Sequence, residues 1–364
     1  MNFTEIKFNR TQHKDFMRVL RKRVNDYFQE NNISRYANAK MVVKTIVLIA
    51  SFAIPYALMI SGFFIHPLAI LACWVVMAFA TASIGFSVMH DANHGAYSRN
   101  PHVNKVLGFV MNFIGGSAIN WRIQHNVLHH SFTNVHGMDE DIDAGKILRF
   151  SPHQERYWFH RFQHIYAWFF YGLMTMMWIT TKDFRQLLRY RRNGLLEAQG
   201  IKFSVALFEL FSTKAIYYAY LLFIPMFMVS IPWWMTLAFF LIFHFILGFT
   251  TACVFQTAHV MDEAEYPMPD PEGNMENSWA IHQLLTTANF APKSRIMSWF
   301  IGGLNYQIEH HLFPNICHVH YPDISRIVKE TAQSFGLPYK IQPTFLSALL
   351  NHGRMLKQLG MAGR

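Results

Sequence analysis

The chain has 364 residues, of which 52% are hydrophobic, 16% are aromatic and only 15% are charged. Because a typical soluble domain carries about 25% charged residues, this composition indicates a membrane protein and excludes an ordinary soluble one. The net charge is +10. No run of basic residues interleaved with aromatic residues accompanies it, so we expect no nucleic-acid binding. The excess lysines and arginines are better explained as residues that flank membrane spans. The three cysteines form no CxxC pair and no disulfide framework; they are Cys73, Cys253 and Cys317.

Residues 1–44 are polar and basic, and they lack the apolar core and cleavage site of a signal peptide. An apolar stripe with helical spacing runs through them, flanked by arginines and a lysine. We therefore predict an amphipathic helix that lies on the membrane surface, with a helix packed on a soluble partner domain as the alternative. The stripe consists of Phe16, Val19, Leu20, Val24, Tyr27 and Phe28.

Three apolar segments predict four membrane spans. Thr45–Ile65 carries no charge and is long enough to cross roughly 30 Å of hydrocarbon, and Leu68–Met89 follows after a short loop. Ala215–Ala258 holds 44 residues without a formal charge, so we interpret it as a hairpin of two spans that turns at Pro232, with tryptophans at the interface. Val106–Ile119 is too short to span and is predicted to be interfacial or re-entrant.

Three histidine clusters stand at helical spacing: HDANHG holds His90 and His94, HNVLHH holds His125, His129 and His130, and NYQIEHH holds Gln307, His310 and His311. Residues three and four apart share one face of a helix, so each cluster points its side chains at one place. A common target in space explains three such clusters, and neutral imidazole is the commonest protein ligand of metals. Zinc, copper and iron all remain open on ligand type alone.

The membrane topology follows from the clusters and the charges. The loops Ser61–Pro67 and Ser230–Trp234 contain no lysine or arginine, whereas residues 1–44 and 182–192 are rich in both. The positive-inside rule then places the termini and all three clusters in the cytoplasm. Since a fifth span would strand the third cluster on the other side, Gln163–Thr181 is predicted to lie in the interface or to dip in without crossing.

The motifs HxxxH, HxxHH and QxxHH, in this order, resemble the three histidine boxes of the membrane fatty acid desaturases. The run from Thr133 and Asn134 to Asp143 and the HLFP after the third box agree, and the resemblance extends over about residues 45–322. It implies an all-α integral membrane protein with four transmembrane helices and a cytoplasmic helical cap that carries the boxes. The domains would be a cytoplasmic N-terminal segment (1–44), the desaturase domain (45–322) and a cytoplasmic tail packed on it (323–364).

The resemblance also implies a function: an oxygen-dependent di-iron enzyme that introduces a cis double bond into a lipid acyl chain. By residue-by-residue carry-over the iron ligands would be His90, His94, His125, His129, His130, His310 and His311. An eighth ligand is needed, and we expect His259, with His282 as the rival. Gln307 stands where many desaturases have histidine, and it would either bind iron directly or hold a water.

Carboxylates near the boxes would accept hydrogen bonds from the ligating imidazoles, and Asp91 and Glu309 are the preferred candidates. The Asp139–Asp143 run could equally be a solvated loop or a docking patch for a basic electron donor. Six isolated histidines are expected to be interfacial or core residues: His66, His102, His153, His160, His164 and His244. The roles of His318 and His320 stay open.

The first 44 residues are too short for a fused cytochrome b5 domain, so we expect electrons from a separate ferredoxin or cytochrome b5-type donor. The acyl substrate would ride on CoA, a carrier protein or a glycerolipid, and the enzyme would lie in a bacterial inner membrane with its active site in the cytoplasm. Gln307 in the third box favours introduction of the new double bond between an existing one and the carboxyl end of the acyl chain, but it does not decide this position alone. The alternatives are a membrane di-iron hydroxylase or ketolase, and a non-enzymatic metal-binding membrane protein, which is disfavoured because transport sites lie near the bilayer midplane.

Overall fold

Four helices in the described part of the chain are long and apolar enough to cross a membrane. They are Ala39–Ile60, Pro67–Asn93, Phe203–Met228 and Trp233–His259. The computed structural model describes residues 6–11 and 13–362, which are mostly helical. By length and composition, the expected number of four spans is confirmed.

The α-helices in chain order are α1 (Phe16–Glu30), α2 (Ala39–Ile60), α3 (Pro67–Ile84), α4 (His90–Asn93), α5 (Pro101–Phe113), α6 (Ala118–Trp121), α7 (His130–Phe132), α8 (Gln163–Met177), α9 (Asp183–Arg192), α10 (Leu195–Ala198), α11 (Phe203–Tyr218), α12 (Ile224–Met228), α13 (Trp233–His259), α14 (Trp279–Thr286), α15 (Arg295–Phe300), α16 (Gln307–Leu312), α17 (Tyr321–Ser334) and α18 (Phe345–Met361). Turns of π-helix occupy Gly85–Met89, Arg122–His129, Trp178–Lys182 and Ala219–Phe223, and 3₁₀ turns occupy Glu140–Ile142, Trp158–Phe162 and His318–His320. Two parallel pairs of very short strands join β1 (Lys7–Phe8) to β2 (Asn274–Met275) and β3 (Asn289–Phe290) to β4 (Ile341–Gln342).

The first two spans form a hairpin with well-defined helix starts. The side chain of Asn38 caps α2 by accepting a hydrogen bond from the Met41 backbone N–H at 3.1 Å, so the first span begins before the predicted Thr45. Pro67 opens α3 at the first helical position, where its missing N–H costs nothing. The two helices pack on each other, and α2 keeps an exposed apolar face as expected of a helix in contact with lipid.

The predicted start of the third span at Ala215 is wrong, because this helix begins at Phe203 and contains two charged residues. Lys214 is buried, with its Nζ 2.6 Å from the Asp183 carboxylate and 2.6 Å from the carbonyl oxygen of Gly115. Glu209 accepts a hydrogen bond from the Asn112 amide at 2.9 Å. Charges are tolerated in a span where protein groups pair them, so an uncharged run alone places the start of this span too late.

The ambiguous segment Gln163–Thr181 is not among the four candidate spans, in line with its prediction. It forms α8 and most of the following π turn, and the helix continues through α9 to Arg192. α8 packs along α13 at very close range: a Cβ on Gly248 would lie 2.8 Å from the carbonyl oxygens of Gly172 and Tyr171. Thr175 also binds the Nδ1 of His244 at 3.1 Å, so α8 lies against the middle of the fourth span.

The N-terminal helix α1 differs from its prediction. The stripe residues Phe16, Leu20 and Val24 are buried against α17 and the segment that follows the third box, so they face the protein itself and not a membrane surface. Arg23 joins α1 to α17 through Thr331 at 2.7 Å and Glu330 at 3.0 Å. An amphipathic pattern indicates that one face of a helix is buried, but it does not distinguish burial by lipid from burial by protein.

The C-terminal segment packs on the rest of the chain through α18. His352, in the middle of that helix, binds the hydroxyl of Tyr171 at 2.6 Å and the carbonyl of Val260 at 2.7 Å. Gln163 donates to the carbonyl of Leu356 at 2.8 Å. α18 is thereby fixed against α8 and the end of α13.

Candidate metal centre

All three boxes lie on short helical segments that meet where two spans end. The first box closes the helix of the second span after the π turn Gly85–Met89, and the second box lies on the π turn Arg122–His129 and on α7. The third box forms α16, and His259 is the last residue of the fourth span. Gly302 lets the third box approach the first: its φ is +63°, and a Cβ there would collide with the carbonyl of Phe86.

A first cluster of imidazoles converges on one point. The Nε2 atom of His130 lies 3.0 Å from that of His310 and 3.2 Å from that of His125, which in turn is 3.3 Å from the Nε2 of His90. Four ring nitrogens cannot all donate to one another, whereas nitrogens bound at about 2.1 Å to one ion lie roughly 3.0–3.4 Å apart. His94 joins this cluster, and its Nε2 is buried without a partner. The donor set therefore fits a metal cation.

A second cluster lies beside the first and combines His129, His259 and His311. The Nε2 atoms of these three rings are all buried without a hydrogen-bond partner, and both polar side-chain atoms of Gln307 are in the same condition. Buried polar groups in proteins are almost always satisfied, so unsatisfied atoms pointing at one place indicate a missing ligand. The rings of His130 and His311, whose centroids are 4.4 Å apart, join the two clusters into one centre.

The opposite nitrogens of several rings are held by protein groups. Nδ1 of His129 lies 3.0 and 3.1 Å from the two carboxylate oxygens of Asp139. Nδ1 of His311 lies 2.8 Å from Oε1 of Gln283, and that of His310 lies 3.3 Å from the Tyr321 hydroxyl. A hydrogen bond at Nδ1 fixes ring orientation and leaves Nε2 free for a metal.

The structure corrects which carboxylates support the histidines. Asp139 and Asp141 are neither a solvated loop nor a docking patch, since both are largely buried beside the second box and Asp141 lies 3.5 Å from Nδ1 of His129. Glu309 contacts no box histidine; it accepts hydrogen bonds from Asn289 and from the Tyr339 hydroxyl, each at 2.8 Å. It therefore fixes the backbone of α16 and not an imidazole.

Asp91, the other predicted carboxylate, bridges the first box and the segment after the third. One oxygen lies 3.7 Å from Nδ1 of His90, and the other receives Nδ1 of His318 at 2.8 Å and the Cys317 thiol at 3.0 Å. Nε2 of His318 lies 3.1 Å from Nζ of Lys44. The hydrogen-bonding atoms of Asp91 and His318 are thus satisfied by protein groups. The role of His318, which the sequence leaves open, is to bind Asp91.

The remaining histidines lie outside the centre. His282, the rival for the eighth ligand, binds the carbonyl oxygen of Thr133 at 2.8 Å and thus supports the segment after the second box. His320 binds the carbonyl of Tyr36 at 3.1 Å. No group of potential ligands in the described part of the chain contains any of His66, His102, His153, His160, His164 and His244.

Burial sets the protonation of the centre. Burial, together with repulsion from neighbouring imidazoles, holds the pKa of His125, His130, His310 and His311 well below the usual value. Burial also acts on His129, but Asp139 more than reverses it and raises the pKa of His129. Metals require the neutral ring, which burial favours at the first four histidines, whereas at His129 the Asp139 carboxylate also favours the proton with which a metal would compete.

A cavity of about 550 Å³ leads to the centre. Its lining includes His90, His125 and Trp121, together with apolar and small residues of the second and fourth spans, of α8 and of the π turn after it. Among these apolar residues are Ala82, Phe86, Met174, Ile179 and Leu247. A predominantly apolar cavity of this size suits a hydrocarbon chain held against the histidines.

Comparison with known proteins decides the family. The model of the fatty acid desaturase family matches residues 65–343, most of the chain. The chain belongs to that family. It is 38% identical to the sn-1 linoleoyl-lipid 6-desaturase of Synechocystis sp., over 98% of each chain. It is 35% identical to the sn-1 linoleoyl-lipid 6-desaturase of Arthrospira platensis, over 95% of this chain and 93% of that one.

A plant relative is similar over a smaller share of its length. The acyl-lipid (8-3)-desaturase of Physcomitrium patens is 35% identical, over 96% of this chain and 72% of its own. The resemblance inferred from the boxes is thus confirmed, and the protein is a fatty acid desaturase. The non-enzymatic alternative is set aside. The sequence analysis placed Asp139 and Asp141 near the boxes without preferring them, and it missed Gln283 and Tyr321, because nothing in their spacing ties them to a particular histidine.

Proposed function

We propose that this desaturase is an oxygen-dependent di-iron enzyme that introduces a cis double bond into the acyl chain of a membrane lipid. The observation that carries the proposal is the pair of adjacent histidine clusters whose Nε2 atoms are unpartnered or face one another, with His90 and His125 of the first cluster lining the cavity. The first iron would be held by His90, His94, His125, His130 and His310. The second would be held by His129, His259 and His311, with Gln307 beside it.

Two bound irons would supply the activation of dioxygen that removal of hydrogen from an unactivated methylene requires. The chain's own residues do the rest. The apolar walls hold the acyl chain and exclude water, and the rings of Trp121 and Phe255 pack against box histidines beside the cavity. Asp139 and Gln283 keep the imidazoles of His129 and His311 in one tautomer and orientation.

The relatives' names support the substrate class and the position of attack. Those proteins are a 6-desaturase of linoleoyl-lipid and an acyl-lipid (8-3)-desaturase, and a relative from Dictyostelium discoideum, 30% identical, is a Δ5 fatty acid desaturase. We infer that this enzyme, too, acts on an acyl chain in a lipid, between an existing double bond and the carboxyl end.

The proposed setting is a bacterial inner membrane with both termini and the metal centre on the cytoplasmic side, supported by the basic residues of α1 and α9 and by loops without lysine or arginine. Reducing dioxygen to two waters takes four electrons, and forming the double bond supplies two. A separate donor of the ferredoxin or cytochrome b5 type would supply the other two.

Feeding and lipid analysis test the proposal. The chain is expressed together with a ferredoxin and its reductase in bacteria fed linoleic acid, and the fatty-acid methyl esters are analysed by gas chromatography–mass spectrometry. We expect a new double bond on the carboxyl side of the first existing one, absent from His310→Ala and present in the matched control His102→Ala, whose side chain is exposed on α5.

Other products would contradict specific parts of the proposal. An acyl chain that gains one oxygen would show a hydroxylase. A double bond introduced into the middle of a saturated chain would overturn the carboxyl-side assignment. An iron-loaded wild-type protein that gives no product with the donor present would overturn the proposal as a whole.

A further inference from the structure

The cavity that leads to the metal centre carries four cations along one wall. They are Lys146, which follows the second box, Lys182 just before α9, Arg185 near the start of α9 and Arg189 in its last turn. Arg189 is paired with Glu140 at 3.2 Å. Arg185 is exposed and has no hydrogen bond or ion pair among the described residues. Lys182 lies over the Trp178 ring at 5.2 Å, and its charge also acts on the carboxyl groups of Asp141 and Asp183. Arg185 is therefore the cation most open to a ligand, and Lys182 lies three residues before it.

Two of the three acidic residues that line the cavity are already engaged. Glu140 accepts hydrogen bonds from Gln186 at 2.8 Å and from the Tyr190 hydroxyl at 2.7 Å, besides its pair with Arg189. Asp141 faces the second box and binds the side chain of Gln124. The third, Asp143, is exposed and accepts a hydrogen bond from the backbone N–H of Gly145 at 3.0 Å. None of the three forms an ion pair with Arg185.

Exposed apolar residues border these cations. Ile147 and Met177 also line the cavity, and they are 39% and 47% exposed. Close by along the chain, Trp158 is 73% exposed and the guanidinium of Arg161 lies 4.6 Å from the centre of the Phe162 ring. Exposed aromatic and apolar side chains mixed with arginine and lysine are typical of the membrane–water interface. The cationic wall thus opens where lipid headgroups lie.

We propose that Lys182 and Arg185 form a phosphate subsite, which binds the headgroup phosphate of a glycerophospholipid whose acyl chain occupies the cavity. This inference rests on the proposed function, and it names the lipid class. Arginine binds phosphate through paired N–H donors and lysine through a compact charge. The phosphates of an acyl-CoA offer the same chemistry, but the exposed apolar border favours a lipid that stays in the bilayer.

The subsite is connected to the metal centre by one short chain of side chains. Asp141 lies 4.0 Å from Nδ1 of His125 and binds Gln124, and Gln124 receives the amide of Gln186 at 2.5 Å. Gln186 lies on α9, one residue after Arg185. The helix that carries Arg185 is therefore tied to the second box through side chains of its buried face.

Lipid binding to the purified, detergent-solubilised enzyme tests the subsite without any turnover. The probes are dilinoleoyl phosphatidylglycerol, dilinoleoyl monogalactosyldiacylglycerol and linoleoyl-CoA, and the readout is the ligand-dependent rise in the temperature of unfolding. The variants are Arg185→Glu, Arg185→Lys and the matched control Arg192→Glu, an exposed arginine on the same helix that does not line the cavity.

We expect phosphatidylglycerol to bind wild type and Arg192→Glu alike, to bind Arg185→Glu roughly tenfold or more weakly, and to bind Arg185→Lys at an intermediate level, since a charge-assisted hydrogen bond contributes about 1.5–3 kcal/mol. High salt should weaken phosphatidylglycerol binding and leave galactolipid binding unchanged. Equal unfolding temperatures of the two glutamate variants without lipid show that folding is not the cause.

Three results would overturn the subsite or its assigned ligand. Equal affinity of wild type for the galactolipid and phosphatidylglycerol would remove the phosphate subsite, as would equal binding by Arg185→Glu and Arg192→Glu. Arg185-dependent binding of linoleoyl-CoA alone would assign the phosphate to CoA instead of a bilayer lipid. Arg185-dependent phosphatidylglycerol binding by a protein that desaturates nothing would leave the subsite standing and contradict the proposed function.

Discussion

Asp139 and His129 form a buried carboxylate–imidazole pair in which both carboxylate oxygens lie within 3.1 Å of Nδ1. The carboxylate is itself held by the backbone N–H groups of Asn134 at 2.9 Å and Asp141 at 2.9 Å. The loop after the second box thus folds back to orient a histidine of that box.

Replacing Asp139 by Asn should lower iron content and activity together. The amide cannot stabilise His129 as the carboxylate does, and loss of such a supporting carboxylate typically costs 10–100-fold in metal affinity. Iron per chain, measured by plasma mass spectrometry after dialysis against a graded chelator, checks this. Asp143→Asn is the matched control, since Asp143 is exposed in the same run. Equal iron retention by the two variants would contradict the role of Asp139.

The eighth ligand can be decided by counting metals. His259→Ala should reduce iron from two per chain towards one, because its Nε2 belongs to the second cluster. His282→Ala should keep both irons and lose some thermal stability, because His282 binds the Thr133 carbonyl instead. Two irons in His259→Ala, or one in His282→Ala, would reverse the assignment.

Gly248→Ala should destabilise the helix crossing of α8 and α13 by about 1–3 kcal/mol. The added Cβ would meet backbone carbonyl oxygens of Tyr171 and Gly172 at 2.8 Å, and backbone cannot rotate away as a side chain can. Gly353→Ala is the control, since a Cβ there meets only the Trp168 ring at 3.7 Å. Thermal unfolding in detergent should show a lower midpoint for the first variant alone, and an unchanged midpoint would disprove the close crossing.

The pH dependence of stability should show the contribution of His352. Burial lowers the pKa of His352 to about 4, whereas the unfolded chain titrates near 6.5. The unfolded state therefore takes up a proton first as pH falls, and stability is lost between pH 6.5 and 4, by about 2 kcal/mol at pH 5.

His352→Gln lacks that proton site, so its unfolding midpoint should lie below that of wild type at pH 7 and approach it at pH 5. Scanning fluorimetry at both values checks this. A gap between the two proteins that stays constant with pH would show that His352 does not titrate on unfolding.

The boxes could be predicted from sequence because local spacing alone decides which side of a helix a residue occupies. His125 and His129 face one way for that reason. Histidines that are far apart in sequence, such as His259 and His311, can then be expected to meet because they would bind the same metal. The partners of those histidines could not be predicted in this way. Asp139 reaches His129 through a loop, and Gln283 reaches His311 across the fold, so neither pairing has a fixed separation in sequence.

The errors in the fold have a similar origin. A charge such as Lys214 sets the start of the apolar run in the sequence, although Asp183 pairs with it from a different helix and the span extends past it. The stripe of Phe16 and Leu20 predicts a buried face, but its cover could be lipid or protein, and α17 supplies it. Patterns along one chain show what must be covered or paired, and the tertiary structure chooses the partner.

The π turns Gly85–Met89 and Arg122–His129 have a consequence for which sequence changes this centre can accept. Each holds one residue more per turn than the surrounding α-helix, and each directly precedes or contains box histidines. Five residues of π-helix turn the chain by about as much as four residues of α-helix, so each wide turn takes up one extra residue while the residues on either side keep their facing. Removing one residue from Gly85–Met89 would let the helix return to ordinary winding with His90 and His94 still directed at the other boxes. Removing one residue from the regular α-helix before it, within Pro67–Ile84, would turn both histidines by about 100°, although no ligand had been replaced. The wide turns are therefore where this part of the chain can change its length, and the regular helix before them is where it cannot.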